Sequence, residues 1–357
     1  MNGKLYNVPM NFHEITINGA VVRGDLMKKY AIGDIKTLED YGKYLDAIKK
    51  NEPNMVPYDA GADGNRLSTV HSRATGYLGN FDPVANVTTK DFKKAFDVFE
   101  QKPKLEFFNL MHTWNENGYW SKNALVKKET AKDSFSAGKS ASFVENLLAA
   151  NAAYMKLNVA HPEWDVKYYP FNPNVPYTAN PYINNGMAIN AKSKNAERAL
   201  MFLDLLRNDK EYNLLTTYGI KGKHYDLSPE GKLIALPDAQ NFPADGACPW
   251  GWRDDRFYLT ANGGLPNYNQ ILDNARKNLI ATPINNFVFD NTTVKSQKAN
   301  LDSIISQYVG PLNFGVTSST VEQDWNNNVV AKLKTAGVDT YLQEYQKQLD
   351  AYLANLK

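Results

Sequence analysis

Strand-like and helix-like segments alternate along most of this 357-residue chain. The segment "GAVV" predicts a strand that leads into a helix, and "SASFVEN" predicts a strand followed by the helical "AANAAYMKLNV". Such alternation favours an α/β architecture. A chain of this length exceeds what one hydrophobic core usually fills, but its composition shows no linker. Any second domain is therefore expected to form by the chain crossing back and forth.

Individual helices are predicted from the spacing of apolar residues and from capping residues. Thr37 is a candidate N-cap for "TLEDYGKYLDAIKK", and Gly337 is a candidate C-terminal stop. "NAERALMFLDLLRND" predicts a helix whose apolar stripe is Ala199, Phe202, Leu203 and Leu206. "TKDFKKAFDVFEQ" also predicts an amphipathic helix, with Phe92, Phe96 and Phe99 on one face.

Charge and cysteine content exclude several classes of function. The 40 Lys and Arg residues nearly balance the 38 Asp and Glu residues, so the net charge of +2 indicates no nucleic-acid partner. The single Cys248 excludes an intramolecular disulfide framework and a zinc site built from cysteines. No apolar run of about 18 residues is present to span a membrane.

Motifs for catalysis or cofactor binding are absent from the sequence. There is no phosphate-binding loop, dinucleotide fingerprint, HExxH or GxSxG motif, and the five histidines are widely separated. We therefore expect no cofactor, no metal and no enzymatic activity. Paired carboxylates leave a glycoside-active enzyme open as an alternative, and the candidates are Glu14, Glu116, Glu145, Asp254 and Asp255.

Several stretches resemble, in order, the family 1 extracellular solute-binding proteins of carbohydrate ABC transporters. They are "NGKLYNVPM", "NGAVVRGDLMKKYAIGDIKTLEDYGKYLDAIKK", "FSAGKSASFVEN" and "GMAINAKSKNAERALMFLDLLRNDKEYNLLTTYGI". The C-terminal "PINNFVFDNTTVKSQKANLDSII" and "VVAKLKTAGVDTYLQEYQKQLDAYL" are similar to a subgroup of Gram-positive surface lipoproteins. Each stretch alone is a weak match, but their order and spacing are fairly specific and cover essentially the whole chain.

The resemblance implies a two-lobe, type II periplasmic-binding-protein-like fold that closes about a hinge on its ligand. Crossing segments are expected near 9–15, 168–174 and 245–250. The C-terminal lobe would then comprise 9–168 and 250–357, and the remainder of the N-terminal lobe would comprise 1–8 and 169–249. Family members carry a lipoprotein signal peptide and further N-terminal residues, so we expect an N-terminal segment to be missing and the N-terminal lobe to be incomplete.

The implied function is a non-catalytic receptor that delivers an oligosaccharide to the permease subunits of an ABC importer. The receptor would be a monomer at the extracellular surface, touching the membrane only through an N-terminal lipid anchor that this chain lacks. A peptide or amino-acid receptor of the same fold remains an alternative, with Arg253 as the partner of an α-carboxylate.

Sugar binding requires apolar faces for the ring and polar groups for its hydroxyls. Trp250 and Trp252, two residues apart in "CPWGWRDDRF", are the candidate stacking surface. Polar and aromatic residues at crossing segments and strand ends complete the predicted site, and they are Asn11, Glu14, Glu145, Asn146, Tyr177, Tyr182, Arg253 and Asp254.

Overall fold

The chain is described by a computed structural model at residues 6–10, 14–61, 64–79, 82–242 and 249–356. Two predicted features, Asn11 and Cys248, lie outside these residues. The chain divides into two compact units. Unit 1 comprises Met1–Ile15 and Ala179–Pro266, and unit 2 comprises Thr16–Thr178 and Asn267–Lys357. The chain passes between the two units at 15/16, 178/179 and 266/267. Each of these crossings comes later in the sequence than the corresponding predicted lobe boundary, at 8/9, 168/169 and 249/250.

Helices and short strands are interspersed through both units. The helices are α1 (Gly24–Lys29), α2 (Leu38–Asn51), α3 (Leu67–Thr75), α4 (Lys102–Glu116), α5 (Ala131–Ser136), α6 (Leu147–Ala160), α7 (Ala196–Asn208), α8 (Lys210–Tyr218), α9 (Tyr268–Lys277), α10 (Lys295–Ile304), α11 (Gly310–Asn313), α12 (Val321–Asp324), α13 (Ala331–Thr335) and α14 (Val338–Ala354). The strands are β1 (Val8–Pro9), β2 (Asn18–Val22), β3 (Tyr77–Leu78), β4 (Ala85–Thr88), β5 (Asp91–Asp97), β6 (Ser142–Asn146), β7 (Lys167–Pro170), β8 (Tyr177–Thr178), β9 (Gly186–Met187), β10 (Tyr225–Leu227), β11 (Leu233–Ala235) and β12 (Leu279–Ile280). None of the helices in the described ranges is long and apolar enough to cross a bilayer.

The centre of unit 2 is a three-stranded sheet in the order β6-β2-β7, with β2 antiparallel to both neighbours. Helix α2 packs on this sheet through two fully buried tyrosines. The hydroxyl of Tyr41 lies 2.7 Å from Oγ of Ser142, and that of Tyr44 donates to the carbonyl of Ala141 at 2.8 Å. Polar groups this deep in a core are tolerated because each has a hydrogen-bond partner.

A second sheet of unit 2 has the order β3-β4-β5, and here one sequence prediction is wrong. Residues 91–97 form strand β5, not the helix predicted from the spacing of the phenylalanines. The hydroxyl of Thr88 accepts from the amide of Asp91 and closes a tight turn that pairs β5 with β4. The ring of Phe96 then packs edge-on against Tyr77 across the sheet, with 5.0 Å between centroids.

Unit 1 contains two separate two-stranded sheets, β1-β9 and β10-β11, together with α7 and α8. Its hydrophobic cluster is built around Tyr218, Tyr225 and Leu233. Helix α7 forms as predicted and buries Leu203 and Leu206, but Phe202 of the predicted stripe is 53% exposed. The apolar face of α7 is therefore only partly buried within the described structure.

Both predicted helix-terminal signals are confirmed. The Thr37 hydroxyl accepts from the amide of Asp40, and the Asp40 carboxylate accepts in return from the amide of Thr37, which forms a capping box at the start of α2. Gly337 lies between α13 and α14 with a φ of 89°, a left-handed conformation that glycine adopts readily.

Candidate functional site

The end of β6 in unit 2 brings together two of the predicted site residues. Glu145 is the penultimate residue of β6, and Asn146 is the N-cap of α6. The side-chain oxygen Oδ1 of Asn146 accepts from the backbone amide of Ala149 at 3.0 Å, which satisfies one of the free N–H groups at the helix start. Asn146 thus serves a structural role at the position where a ligand contact was predicted.

Glu145 is 8% exposed, and its carboxylate forms an ion pair with Arg66, a partner that the sequence did not suggest. Nη1 of Arg66 donates to Oε1 of Glu145 at 2.5 Å, and the same oxygen accepts from the backbone and side-chain N–H groups of Asn146, each at 2.9 Å. Arg66 follows the Gly- and Asp-rich stretch at 59–65, which reads only as a turn. Because 79 residues separate Arg66 from Glu145, no local signal connects the two.

Tyr177 is 1% exposed in strand β8 of unit 2, with its amide donating to the carbonyl of Asn278. The guanidinium of Arg73 lies over its ring, 4.0 Å from the centroid, and donates to carbonyls of the loop before β8, including that of Val175 at 2.9 Å. Burial raises the pKa of the Tyr177 hydroxyl, and the Arg73 charge opposes that rise. Tyr177 stays a predicted ligand contact, in a position fixed by the Arg73 guanidinium.

Of the two predicted stacking tryptophans, Trp250 lies on a short 3-10 turn, Pro249–Gly251, in unit 1, and Trp252 directly follows that turn. Trp250 and Trp252 are both partly exposed. The Trp252 indole N–H donates to the hydroxyl of Thr216 at 3.1 Å, which ties it to α8. Gly251 lies so close to Met187 that an added Cβ would be 2.6 Å from the Met187 Cγ, so any larger residue here would require the Met187 side chain to move.

Arg253 and Asp254, predicted as hydroxyl partners, are deeply buried, at 3% and 2% exposure. The Arg253 guanidinium lies 5.2 Å from the ring centroid of Trp250. Both oxygens of Asp254 accept from the guanidinium of Arg256, each at 2.8 Å, in a bidentate ion pair. These contacts favour a supporting role, in which Arg253 covers one region of the Trp250 ring and Asp254 orients Arg256.

Glu14 lies near the end of the first segment of unit 1, and Tyr182 lies near the start of its second segment. Asn180 donates to the Glu14 carboxylate at 3.0 Å through its side chain and to the Glu14 carbonyl at 2.8 Å through its backbone. Tyr182 is 44% exposed, and its carbonyl accepts from the amide of Met10. An exposed aromatic ring and an anchored carboxylate each have chemistry that a sugar ring requires, so both residues stay predicted contacts.

Among the residues that the structure describes, no group of three or more His, Cys, Asp or Glu side chains is placed to hold a metal ion. The carboxylates of the predicted site instead have nitrogen donors, Arg66 for Glu145 and Arg256 for Asp254. Each unit, taken by itself, offers aromatic faces and oriented hydrogen-bonding groups, which suit recognition of a neutral polar ligand.

Comparison with known proteins gives matches over a short segment and over the whole chain. Residues 283–354 match the family described as a domain of unknown function, DUF3502. The entire chain is 26% identical to a carbohydrate ABC transporter substrate-binding protein of Streptococcus pneumoniae serotype 4, and it covers 71% of that protein.

Solved structures give the fold. The N-glycan transport solute binding protein NgtS from Streptococcus pneumoniae matches with a TM-score of 0.79 and 20% identity, over 100% of this chain and 77% of that chain. Its complex with Man5GlcNAc matches with a TM-score of 0.74 and 21% identity over the same shares. The alginate-binding protein AlgQ2 matches with a TM-score of 0.68 and 16% identity, over 98% of this chain and 75% of that chain. The chain therefore has the type II solute-binding protein fold, and over its whole length it is similar in sequence to a carbohydrate ABC transporter substrate-binding protein.

Proposed function

We propose that this protein is a receptor that binds an oligosaccharide without chemically changing it and delivers it to an ABC importer. The observation that carries the proposal is the match of the whole chain to a carbohydrate ABC transporter substrate-binding protein. Structures of the same fold include sugar complexes of NgtS and of FusA, the latter with kestose, which supports a carbohydrate as the ligand class. The partners are then an oligosaccharide and the permease subunits, and the site of action is the extracellular surface.

Trp250 is the proposed stacking residue in unit 1, because it is partly exposed and lies in the predicted aromatic turn. Aromatic rings offer an apolar face of the kind that the C–H side of a pyranose needs. Arg253 lies against the Trp250 ring and restricts its movement, which reduces the ordering cost of binding. Tyr182 and Glu14 supply a further exposed ring and a carboxylate in the same unit.

The contacts of two candidate carboxylates, Glu145 and Asp254, argue against their use in the glycoside-active alternative. A glycosidase needs one carboxylic acid that can protonate the leaving group and a second carboxylate as base or nucleophile. Oε1 of Glu145 is already engaged by three N–H donors, and both oxygens of Asp254 are engaged by Arg256. These groups orient neighbouring side chains and are poorly placed to exchange protons with a substrate.

The burial of Arg253 also argues against the amino-acid receptor. A residue that is 3% exposed and lies over Trp250 and Tyr258 would have to leave these rings to meet an α-carboxylate. The comparison of Trp250→Ala with Arg253→Ala tests this alternative. A sugar receptor loses more affinity with Trp250→Ala, whereas an amino-acid receptor loses more with Arg253→Ala and binds amino acids in place of glycans.

A thermal-shift screen against plant, microbial and N-glycan fragments tests the proposal, since a ligand that binds only the folded state raises the melting temperature. We expect at least one oligosaccharide to raise it, with no product detectable after incubation. Turnover of a chromogenic glycoside that Glu145→Gln abolishes would instead establish the enzyme. No shift with any glycan would contradict the receptor function.

A further inference from the structure

A pocket of about 230 Å³ opens on unit 2, and all the residues that line it belong to that unit. It lies between the loop that precedes α2, the end of β7 with the loop after it, and the first two turns of α9. Its lining includes Ile35, Tyr169, Pro173, Tyr177, Gln270 and Asn274. Of these residues, only Tyr177 belongs to the site predicted from the sequence.

The pocket has an apolar base and a polar rim. Ile35, Tyr177 and Ile271 are buried beneath it, and the rings of Tyr169 and Pro173 form part of its walls. This combination of an apolar surface with a few polar groups is typical of small-molecule sites.

The rim carries both amide and charged side chains. Gln270 is exposed on α9, and Asn274 donates to the carbonyl of Pro173 at 3.0 Å, which fixes its amide at the pocket wall. Asp34 and Lys36 also line the pocket and are exposed. Burial raises the pKa of Tyr169 to about 12, and the charge and hydrogen bond of Asp34 add to this rise. The Tyr169 hydroxyl therefore stays protonated.

Size and charge restrict the ligand. Pockets for drug-sized ligands have volumes of about 300–1,000 Å³, so this pocket holds a smaller molecule. An amino acid would need Asp34 and Lys36 to supply most of its affinity, but exposed charges contribute little because water screens them. A neutral ring with one apolar face and several hydroxyl groups uses the apolar base and the amide rim together.

We infer that this pocket of unit 2 binds one neutral pyranose ring, with Tyr169 and Pro173 against its apolar face and Gln270 among the partners of its hydroxyl groups. The inference rests on the proposed carbohydrate-binding function and assigns one sugar unit of the ligand to unit 2. It predicts that single sugars bind weakly by themselves, with a dissociation constant of about 1 mM or higher, since one ring offers few contacts.

Binding is measured by ligand-observed NMR titration with methyl α-D-mannopyranoside, methyl β-D-glucopyranoside and N-acetylglucosamine, and with L-alanine as the zwitterionic probe. Gln270→Trp places an indole at the rim and should weaken pyranoside binding at least tenfold. Asn269→Trp is the matched control, because Asn269 is exposed on the same helix and does not line the pocket. Gln270→Ala, which removes a proposed hydroxyl partner and adds no bulk, should weaken binding severalfold, and chemical unfolding verifies that each variant folds.

Several results would overturn the inference. They are failure of every pyranoside to bind, equal binding by wild type and Gln270→Trp, and binding of L-alanine in preference to the sugars. A parallel titration with Man5GlcNAc separates this inference from the proposed function. If the oligosaccharide binds wild type and Gln270→Trp equally, the receptor function stands and the pocket assignment is wrong. If no oligosaccharide binds wild type at all, the receptor function itself is contradicted.

Discussion

Glu145 lies near the carboxyl end of a buried strand, where one of its oxygens accepts hydrogen bonds from three N–H groups. The strand-to-helix pattern placed Glu145 and Asn146 correctly, because a capping residue directly after an apolar strand is a local signal. Arg66 could not be predicted as their partner, since a contact across 79 residues depends on the tertiary fold. The burial of Asp254 could not be predicted from the sequence either, because the neighbouring Arg256 could equally have pointed into solvent.

Asn146 should stabilise the protein through its cap at α6. Asn146→Ala removes the acceptor for the amide of Ala149 and should lower the free energy of unfolding by about 1 kcal/mol. Asn146→Ser restores a capping hydroxyl and should recover most of the loss in chemical denaturation. Equal stability of the Ala and Ser variants would show that the cap contributes nothing.

Asp97 should make stability depend on pH. Burial raises the pKa of this carboxyl to about 7, and the neighbouring Glu100 and Asp339 add to the effect. Its Oδ1 accepts from the amide of Phe99, while its buried Oδ2 has no hydrogen-bond partner among the described residues. Because the folded-state pKa exceeds the unfolded one, the stabilisation from Asp97 is complete below about pH 4 and is lost as the pH rises through about 7.

Asp97→Asn keeps the acceptor for Phe99 but removes the titration. At pH 8 the variant should be more stable than wild type by about 2–4 kcal/mol, and the difference should shrink as the pH falls toward 4. Asp91→Asn, an exposed change in the same strand, is the control and should show no such trend. A constant difference between Asp97→Asn and wild type from pH 4 to 8 would contradict the predicted titration.

Strand β5 shows at the scale of the element why periodicity can mislead. Phe92, Phe96 and Phe99 fit a helical spacing, yet Phe92 and Phe96 also lie on one face of a strand. The strand conformation is favoured by the pairing of β5 with β4 and by hydrogen bonds from Gln346 of α14 to the β5 backbone. Elements with local signals at both ends, such as α2 with its capping box, were predictable from the sequence, whereas β5 depends on a residue some 250 positions away.

The amide of Gln346 should hold β5 against α14. Its oxygen accepts from the backbone of Ala95 at 2.8 Å, and its nitrogen donates to the carbonyl of Lys93 at 2.7 Å. Gln346→Ala should destabilise the protein by about 1–2 kcal/mol and accelerate hydrogen exchange of the Ala95 amide. Gln343→Ala, at an exposed position of the same helix, should change neither quantity. Unchanged exchange at Ala95 in Gln346→Ala would exclude this contact.

At the scale of the whole molecule, the sequence predicted two compact parts made by a chain that crosses between them, and the chain does divide in this way. The type II solute-binding fold was predictable because several weak motifs occurred in the right order, and the solved structures confirm it. The pocket of unit 2 was not predictable, since its lining comes from three stretches far apart in the chain.

The two units should differ in local stability. Unit 2 contains the sheet β6-β2-β7 with fully buried tyrosines, whereas α7 and α8 of unit 1 leave Met201, Phe202 and Leu215 largely exposed. Fewer buried apolar contacts imply a lower free energy of opening. Hydrogen exchange monitored by mass spectrometry should therefore show faster exchange in α7 and α8 than in β2 and β6. Equal protection of these elements would contradict the expectation.

The stacking role of Trp250 is tested most directly in the ligand complex. Trp250→Ala should weaken oligosaccharide binding about threefold to tenfold, which is the range that one aromatic contact contributes. Tyr212→Ala, which removes another exposed ring of unit 1, is the matched control and should leave affinity unchanged. Equal affinity of Trp250→Ala and wild type would remove Trp250 from the site.

The receptor function is tested most directly by isothermal titration calorimetry, which measures binding of a panel of oligosaccharides. The panel includes Man1GlcNAc, Man5GlcNAc and fructo-oligosaccharides. The receptor function predicts saturable one-to-one binding of at least one of these glycans, with the ligand recovered chemically unchanged. Absence of binding across the panel, or recovery of a cleaved product, would contradict it.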